Sequence, residues 1–181
     1  MQTIVTSGKD LHPVIVFFGD DNFQTSGQPD SVGADYFMDE DMILITVNYR
    51  LGAFGFLTLG DEEILPGNLA LKDQVQALRW IQSNVHVFGG DRMRVTLFGS
   101  GTGSIAVSMH LLSPMSAGLF SNGISSSGTF SCPNAIILEP SITAQKLAKL
   151  LNCSGNTSLE LAKCLDEKNT TEILIAQGKL T

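Results

Sequence analysis

Apolar residues follow two alternating periods along this chain. Pro13-Val-Ile-Val-Phe-Phe18 and Ile43-Leu-Ile-Thr-Val47 are short, nearly unbroken apolar runs rich in β-branched and aromatic residues. That pattern predicts parallel strands buried on both faces. From Asn68 to about Phe88 the spacing widens, with Leu71, Val75, Leu78, Ile81 and Val85 recurring every three to four positions. This predicts an amphipathic helix laid against a sheet. Gly89-Gly90-Asp91 stops the helix, Arg94-Val-Thr-Leu-Phe98 resumes as a strand, and a glycine-rich turn leads into a second helix through Ala106 to Leu112. A fourth strand is predicted near Leu119 to Ser125. Beyond Pro140 the pattern is helical, with Ser141 as its cap, followed by a loop between Cys153 and Cys164 and a last helix near Thr171 to Gln177.

Strands alternating with helices read as an α/β fold, a doubly wound, mostly parallel sheet flanked by helices and joined by right-handed crossovers. Residues 1–181 contain no repeat and no Pro/Gly/Ser-rich linker, so they read as a single domain. Only about four strands can be placed, and the sheet is therefore expected to be incomplete, truncated at both ends.

Composition narrows the function. Eleven Lys and Arg against eighteen Asp and Glu give a net charge of -7, and no basic stripe is present to neutralise a row of phosphates, which argues against nucleic acid. The longest apolar runs are about five residues, far short of the roughly 18 to 20 that span a bilayer. Residues Met1 to Asp10 lack the apolar centre of a secretory signal. Yet Cys153 and Cys164 bracket a polar stretch with three Asn-x-Ser/Thr sequons nearby, at Asn152, Asn156 and Asn169. Together they point to the secretory pathway for the full-length protein; the alternative is an ordinary Asn/Ser/Thr-rich loop. A bridge there would stabilise by roughly 3 kcal/mol in the chain-entropy model. Cys132 is then unpaired and is expected to be a buried thiol. Three scattered cysteines and histidines offer no zinc spacing, and the glycine-rich turn lacks the Gly-Lys-Ser/Thr of a phosphate loop, so neither metal nor cofactor is expected.

In open α/β sheets the chemistry sits at the carboxyl ends of strands, here after Phe18, Val47 and Phe98. Phe98-Gly99-Ser100-Gly101-Thr102-Gly103-Ser104 follows a strand and opens a helix, the setting of a nucleophile elbow. Around it stand Val47-Asn-Tyr-Arg-Leu-Gly-Ala-Phe-Gly-Phe56, Pro66-Gly67-Asn68, Leu71-Lys-Asp-Gln74, Phe88-Gly-Gly-Asp91, Val95-Thr-Leu-Phe-Gly99 and His110-Leu-Leu-Ser-Pro-Met115. From Pro13 to about Gly128 the chain resembles the type-B carboxylesterase and cholinesterase family of α/β-hydrolases. The resemblance implies a serine esterase fold, and the Cys153/Cys164 loop suits the family's second disulfide. Ser125-Ser-Ser-Gly128 resembles the strand end near the family's site, where Ser127 would hydrogen-bond within the pocket.

Two departures bear on activity. The family's elbow resembles Phe-Gly-Glu-Ser-Ala-Gly. Aligned on Gly99 and Gly103, it puts Ser100 at the Glu position and Gly101, which has no side chain to attack a carbonyl, at the nucleophile. A one-residue shift that made Ser100 the nucleophile would put Phe98 and Thr102 where strand and helix need small residues. After the first strand the family carries something like His-Gly-Gly-Gly-Phe, part of its oxyanion hole. Here Gly19-Asp20-Asp21-Asn22-Phe23 takes its place, and carboxylates oppose a developing oxyanion. As a folding element the same residues read as an Asp-Asp-Asn turn ending a strand.

The triad order in this fold is nucleophile, acid, histidine. His12 and His86 precede the elbow and His110 lies in the helix that follows it, so all three are expected to be structural or surface residues. The resemblance implies that residues 1–181 are the central part of an incomplete carboxylesterase-like domain, with the acid and histidine expected from a C-terminal half this chain does not contain. The expected function is a catalytically inactive carboxylesterase-like protein. Its Gly-Ser-Gly-x-Gly elbow resembles that of neuroligins, which implies a binding or adhesion role with an unknown protein ligand, or a silenced paralogue. The alternatives are an active carboxylic ester hydrolase and a gene fragment without independent function.

Overall fold

The computed structural model describes residues 11–21, 23–26, 33–61, 63–133, 135–155 and 157–180. Contacts divide the chain into two compact units. One holds the residues up to Tyr49 together with Leu71–Ile136, and the other holds Arg50–Ala70 and Ile137–Thr181. No Pro/Gly/Ser-rich stretch marks any of the crossings between them, which is why hydrophobic periodicity presents one domain.

The first unit is a parallel sheet with helices against it. Its strands are β1 (His12–Phe18), β4 (Ile43–Thr46), β5 (Gly90–Ser100) and β6 (Asn122–Ser126), in the order β4-β1-β5-β6. Every pairing is parallel. A two-residue hairpin, β2 (Asp20–Asp21) and β3 (Thr25–Ser26), follows β1, and the short helix α1 (Asp35–Met38) precedes β4. The helix α3 (Leu69–Asn84) joins β4 to β5, and α4 (Thr102–Leu112) joins β5 to β6. Val14, Val16 and Phe18, spaced by two on β1, form one core with Val95 and Leu97 of β5, Leu78 and Ile81 of α3, and Val107 of α4.

Both helices therefore cover one sheet face, and the prediction of strands buried on both faces is met only in part. On the opposite face Ile15, Phe17 and Phe98 are half-buried, with the Phe17 and Phe98 rings 5.3 Å apart. Element ends moved as well. The predicted helix to Phe88 is α-helical only to Asn84, tightening to a 3-10 turn over Val85–Phe88 before the left-handed Gly89 (φ 81°). Gly90 and Asp91 already belong to β5 rather than to a stop signal. Leu119 and Phe120, predicted in the fourth strand, pack beside the core, and β6 begins at Asn122.

The second unit is helical. It contains α2 (Gly52–Phe56), α5 (Pro140–Leu150), α6 (Ser158–Asp166) and α7 (Thr170–Gln177). Leu147, Ala148, Leu151, Cys153, Leu165 and Ala176 form its core. Gln177 accepts a 2.7 Å hydrogen bond from the Ala53 N–H and ties α7 to α2. Ser141 does not cap α5. Pro140, with its fixed φ, occupies the first turn, and Glu139 precedes it without a side-chain cap. The segment between the cysteines is not a plain loop: it contains the start of α6, which runs on through Cys164 and opens with a capping box of Thr157 and Glu160. A second capping box, Asn169 with Glu172, starts α7. Cys153 and Cys164 are bonded to each other, with Cα atoms 5.7 Å apart.

Replacing both Cys153 and Cys164 by Ser should lower the urea-unfolding free energy of this helical unit by roughly 3 kcal/mol. An unchanged unfolding midpoint would show that the closed loop adds nothing to its stability.

Candidate functional site

β1 and β5 lie side by side, with Phe18 level with Gly99. From β1 the chain proceeds to β4 on one flank, and from β5 to β6 on the other. The order reverses between them, so their carboxyl ends form the switch point at which open α/β sheets hold their sites. Gly19 to Asp21 and Gly101 to Gly103 leave the sheet there.

The turn after β5 is sharp. Ser100 is still a strand residue, level with Ser126 of β6. Gly101 then takes φ 60° and ψ -122°, and Thr102 begins α4. Gly101 donates its N–H to the Ser126 carbonyl at 2.9 Å. Its own carbonyl accepts from the Ser104 N–H at 3.2 Å and from the Ser104 hydroxyl. Ser104 is fully buried, and sequence reading passed over it. A small residue one turn into a helix whose preceding turn needs an acceptor filled is the only signal that marks it.

The space around the three glycines differs. A Cβ on Gly99 would run into the Gly103 carbonyl and the Ser104 nitrogen, and one on Gly103 would run into the carbonyl of Phe18. A Cβ on Gly101 would meet nothing within 4 Å. The corner at Gly101 is thus framed by two residues that must lack side chains, and it alone faces open space. Ser100 sits before the corner, in the ladder, and Thr102 after it.

After β1, a Cβ on Gly19 would strike the Phe17 ring. Asp20 and Asp21 do not form a turn. They are β2, paired antiparallel with Ser26 and Thr25, and α4 touches this strand. The turn comes later, where Phe23 has φ 57°. Asn22 lies outside the described residues. Backbone pairing commits the two Asp residues to a hairpin beside the corner.

His12 donates its Nδ1–H to the Asp41 carbonyl, 2.8 Å away, so Nδ1 carries the proton. His86 is exposed in the 3-10 turn. His110 is buried, its Nε2 2.8 Å from the Gln74 amide oxygen and its Nδ1 2.7 Å from the Ser116 hydroxyl. The oxygen of Gln74 can only accept, so Nε2–H donates and Nδ1 accepts from Ser116. Both nitrogens of this neutral ring are occupied, and burial lowers its pKa to about 4. The Gln74 Nε2 is buried without a hydrogen-bond partner. This polar cluster, joining α3, α4 and the turn after α4, is not visible in periodicity, which counts Gln74 as a polar position.

Ser127 is exposed with φ 68°. Ser125 donates to the Ser104 carbonyl at 3.2 Å, so serines 104 and 125 link the strand end to the corner. Cys132 is half-buried rather than buried, and its sulfur accepts from the Thr129 N–H at 3.4 Å. Asn152 and Asn169 are exposed in the second unit, and Asn156 lies outside the described residues. Among the described residues, no group of three or more His, Cys, Asp or Glu side chains could hold a metal, and no helix is long and apolar enough to cross a membrane.

A family model described as "Carboxylesterase family" matches residues 3–181. The chain is 44% identical over 176 residues to a juvenile hormone esterase of Tribolium castaneum, covering 93% of this chain and 29% of that protein. It is 40% identical over 170 residues to venom carboxylesterase-6 of Apis mellifera, covering 94% of this chain and 30% of that protein. With human carboxylesterase 3 it shares 42% over 137 residues, covering 76% of this chain and 24% of that protein. The chain thus spans less than a third of the length of these relatives.

Two predictions follow from the corner and the histidine. Gly99→Ala and Gly103→Ala should each cost roughly 3 kcal/mol, because backbone must move to admit the methyl. Gly101→Ala should cost only about 1 kcal/mol, the strain of a left-handed φ in open space. Urea denaturation of the three variants checks the order, and equal losses would refute the frame.

His110 is neutral in the folded state down to about pH 4, whereas an unfolded histidine gains its proton near pH 6.5. The unfolded state therefore binds more protons between these values, and stability is highest above pH 6.5 and falls as pH drops toward 4. The loss should total roughly 3 kcal/mol. His110→Gln should flatten this part of the stability profile, and an unchanged slope would show that His110 does not cause it.

Proposed function

The chain belongs to the carboxylesterase family, and on that premise we propose that it is a catalytically silent member whose role is binding rather than hydrolysis. The observation that carries the proposal is the corner at Gly101. In this family's chemistry a serine at that corner attacks the acyl carbon, and hydrogen cannot. Ser100 does not stand in for it, because it precedes the corner and pairs along β5 with β6. The hairpin of Asp20 and Asp21 supports the same reading. Those backbone groups pair with Thr25 and Ser26, whereas an oxyanion hole needs donors aimed at the reacting oxygen, each typically contributing about 3 to 4 kcal/mol. His110 is held at both nitrogens by Gln74 and Ser116 and serves as a structural group.

What remains is a switch-point surface with the fold's geometry and without its nucleophile. The elbow's likeness to that of neuroligins supports a protein ligand. The disulfide, together with sequons at Asn152, Asn156 and Asn169, supports passage through the secretory pathway, with an extracellular place of action. Hydrolysis remains the competing reading, favoured by the esterase names of the relatives.

A fluorophosphonate probe distinguishes the two. The protein at its native length should remain unlabelled, while a Gly101→Ser variant tests whether the missing hydroxyl is the sole defect. Stoichiometric labelling of the parent protein would overturn the proposal.

A further inference from the structure

The second unit has a surface depression of about 260 Å³ between the end of α5 and α7. Its floor is Leu151 and Ala176, both buried, and its walls include Leu150 and Ile175, 44% and 58% exposed. Lys168 and Glu172 give it a polar edge. The volume is below the roughly 300 to 1,000 Å³ of sites for drug-sized ligands, and the mixture of aliphatic floor and polar edge suits a sugar ring, which has an apolar face and a hydroxyl rim.

Asn152 lines the same depression, and it is the first residue of the sequon Asn152-Cys153-Ser154. Its position is fixed from two directions. Asn152 is the left-handed residue (φ 55°) that ends α5. Its N–H donates to the Lys149 carbonyl at 3.2 Å, and the Cys153 N–H donates to the Ala148 carbonyl at 2.8 Å. This pair of bonds is a Schellman motif, in which asparagine tolerates the positive φ. Buried Cys153 packs with Ala148 in the core and is bonded to Cys164 of α6. By contrast, the carbonyl oxygen of the Asn169 side chain accepts from the Thr171 N–H at 2.9 Å as the cap of α7.

We propose that Asn152 carries an N-linked glycan whose first N-acetylglucosamine lies in this depression and covers Leu150 and Ile175. In the modification, Nδ2 of Asn152 attacks C1 of an oligosaccharide held on a lipid diphosphate. The N–C1 bond forms, the C1–O bond to phosphate breaks, the lipid diphosphate leaves with the electron pair, and one amide proton is released. The attached sugar is tethered at the rim, so it need not be captured from solution, and the entropic cost of association is largely met by the covalent link. The proposal rests on the secretory reading given above.

The test is expression of the protein at its native length through an insect-cell secretory pathway, with glycopeptide mass spectrometry and hydrogen exchange. Asn152 should be occupied. Trimming to a single N-acetylglucosamine should leave amide exchange in Thr170–Gln177 unchanged, and complete removal should make it several-fold faster. Ser154→Ala, which removes the sequon without touching the left-handed residue, should reproduce that gain, and Ser154→Thr should not. A bare Asn152 beside an occupied Asn156 or Asn169 would overturn the proposal and leave the secretory reading standing. All three bare would overturn both. An occupied Asn152 whose removal leaves exchange in α7 unchanged would overturn the seating of the sugar.

Discussion

The close crossing of α4 over the ends of β1 and β5 is the constraint on which the rest depends. Gly99 and Gly103 allow it because neither has a Cβ to keep the Phe18 and Gly103 carbonyls at a distance. The chain must reverse between them in three residues, and Gly101 absorbs the reversal with a left-handed φ. Serine at that corner would carry strain of about 1 kcal/mol, the kind of cost that active sites store. Glycine adopts the same turn without it. The corner is thus kept in shape by packing on either side, and its geometry does not depend on whether a nucleophile is present.

Much of this was legible in the residues. The frame of the corner is set by which positions around it are small, and those are Gly99 and Gly103 rather than Phe98 and Thr102. The strands at Val14 and Val95 and the helix through Leu78 followed from periodicity, because burial against a sheet imposes it. The missed elements have a different origin. The helix after Cys153 is announced by Thr157 and Glu160 three residues apart, a local signal that the cysteines and sequons overshadowed. Ser141 fits a cap by type, but Pro140 has the stronger claim to the first turn. The Asp20–Asp21 hairpin has only two residues per arm, too few for any period to show.

The buried polar cluster was illegible for a deeper reason. Gln74, His110 and Ser116 are distant in sequence and meet only when α3 and α4 lie on the same sheet face. A polar residue on an apolar face reads as an interruption until its partner is in place. Once paired, the histidine holds α3 to α4 as a structural group, with its nitrogens bonded to glutamine and serine. The division of roles in the first unit is plain: Gly99 and Gly103 frame the corner by lacking side chains, and His110 ties α3 to the turn after α4.

The central claim is that no hydroxyl occupies the turn where this family's chemistry begins. Its most direct test is the hydrolysis of naphthyl acetate by the protein at its native length, measured beside a Ser100→Ala variant. The account predicts rates indistinguishable from buffer for both. Turnover by the parent protein that disappears in the variant would contradict it, since Ser100 would then be acting from the strand as the nucleophile.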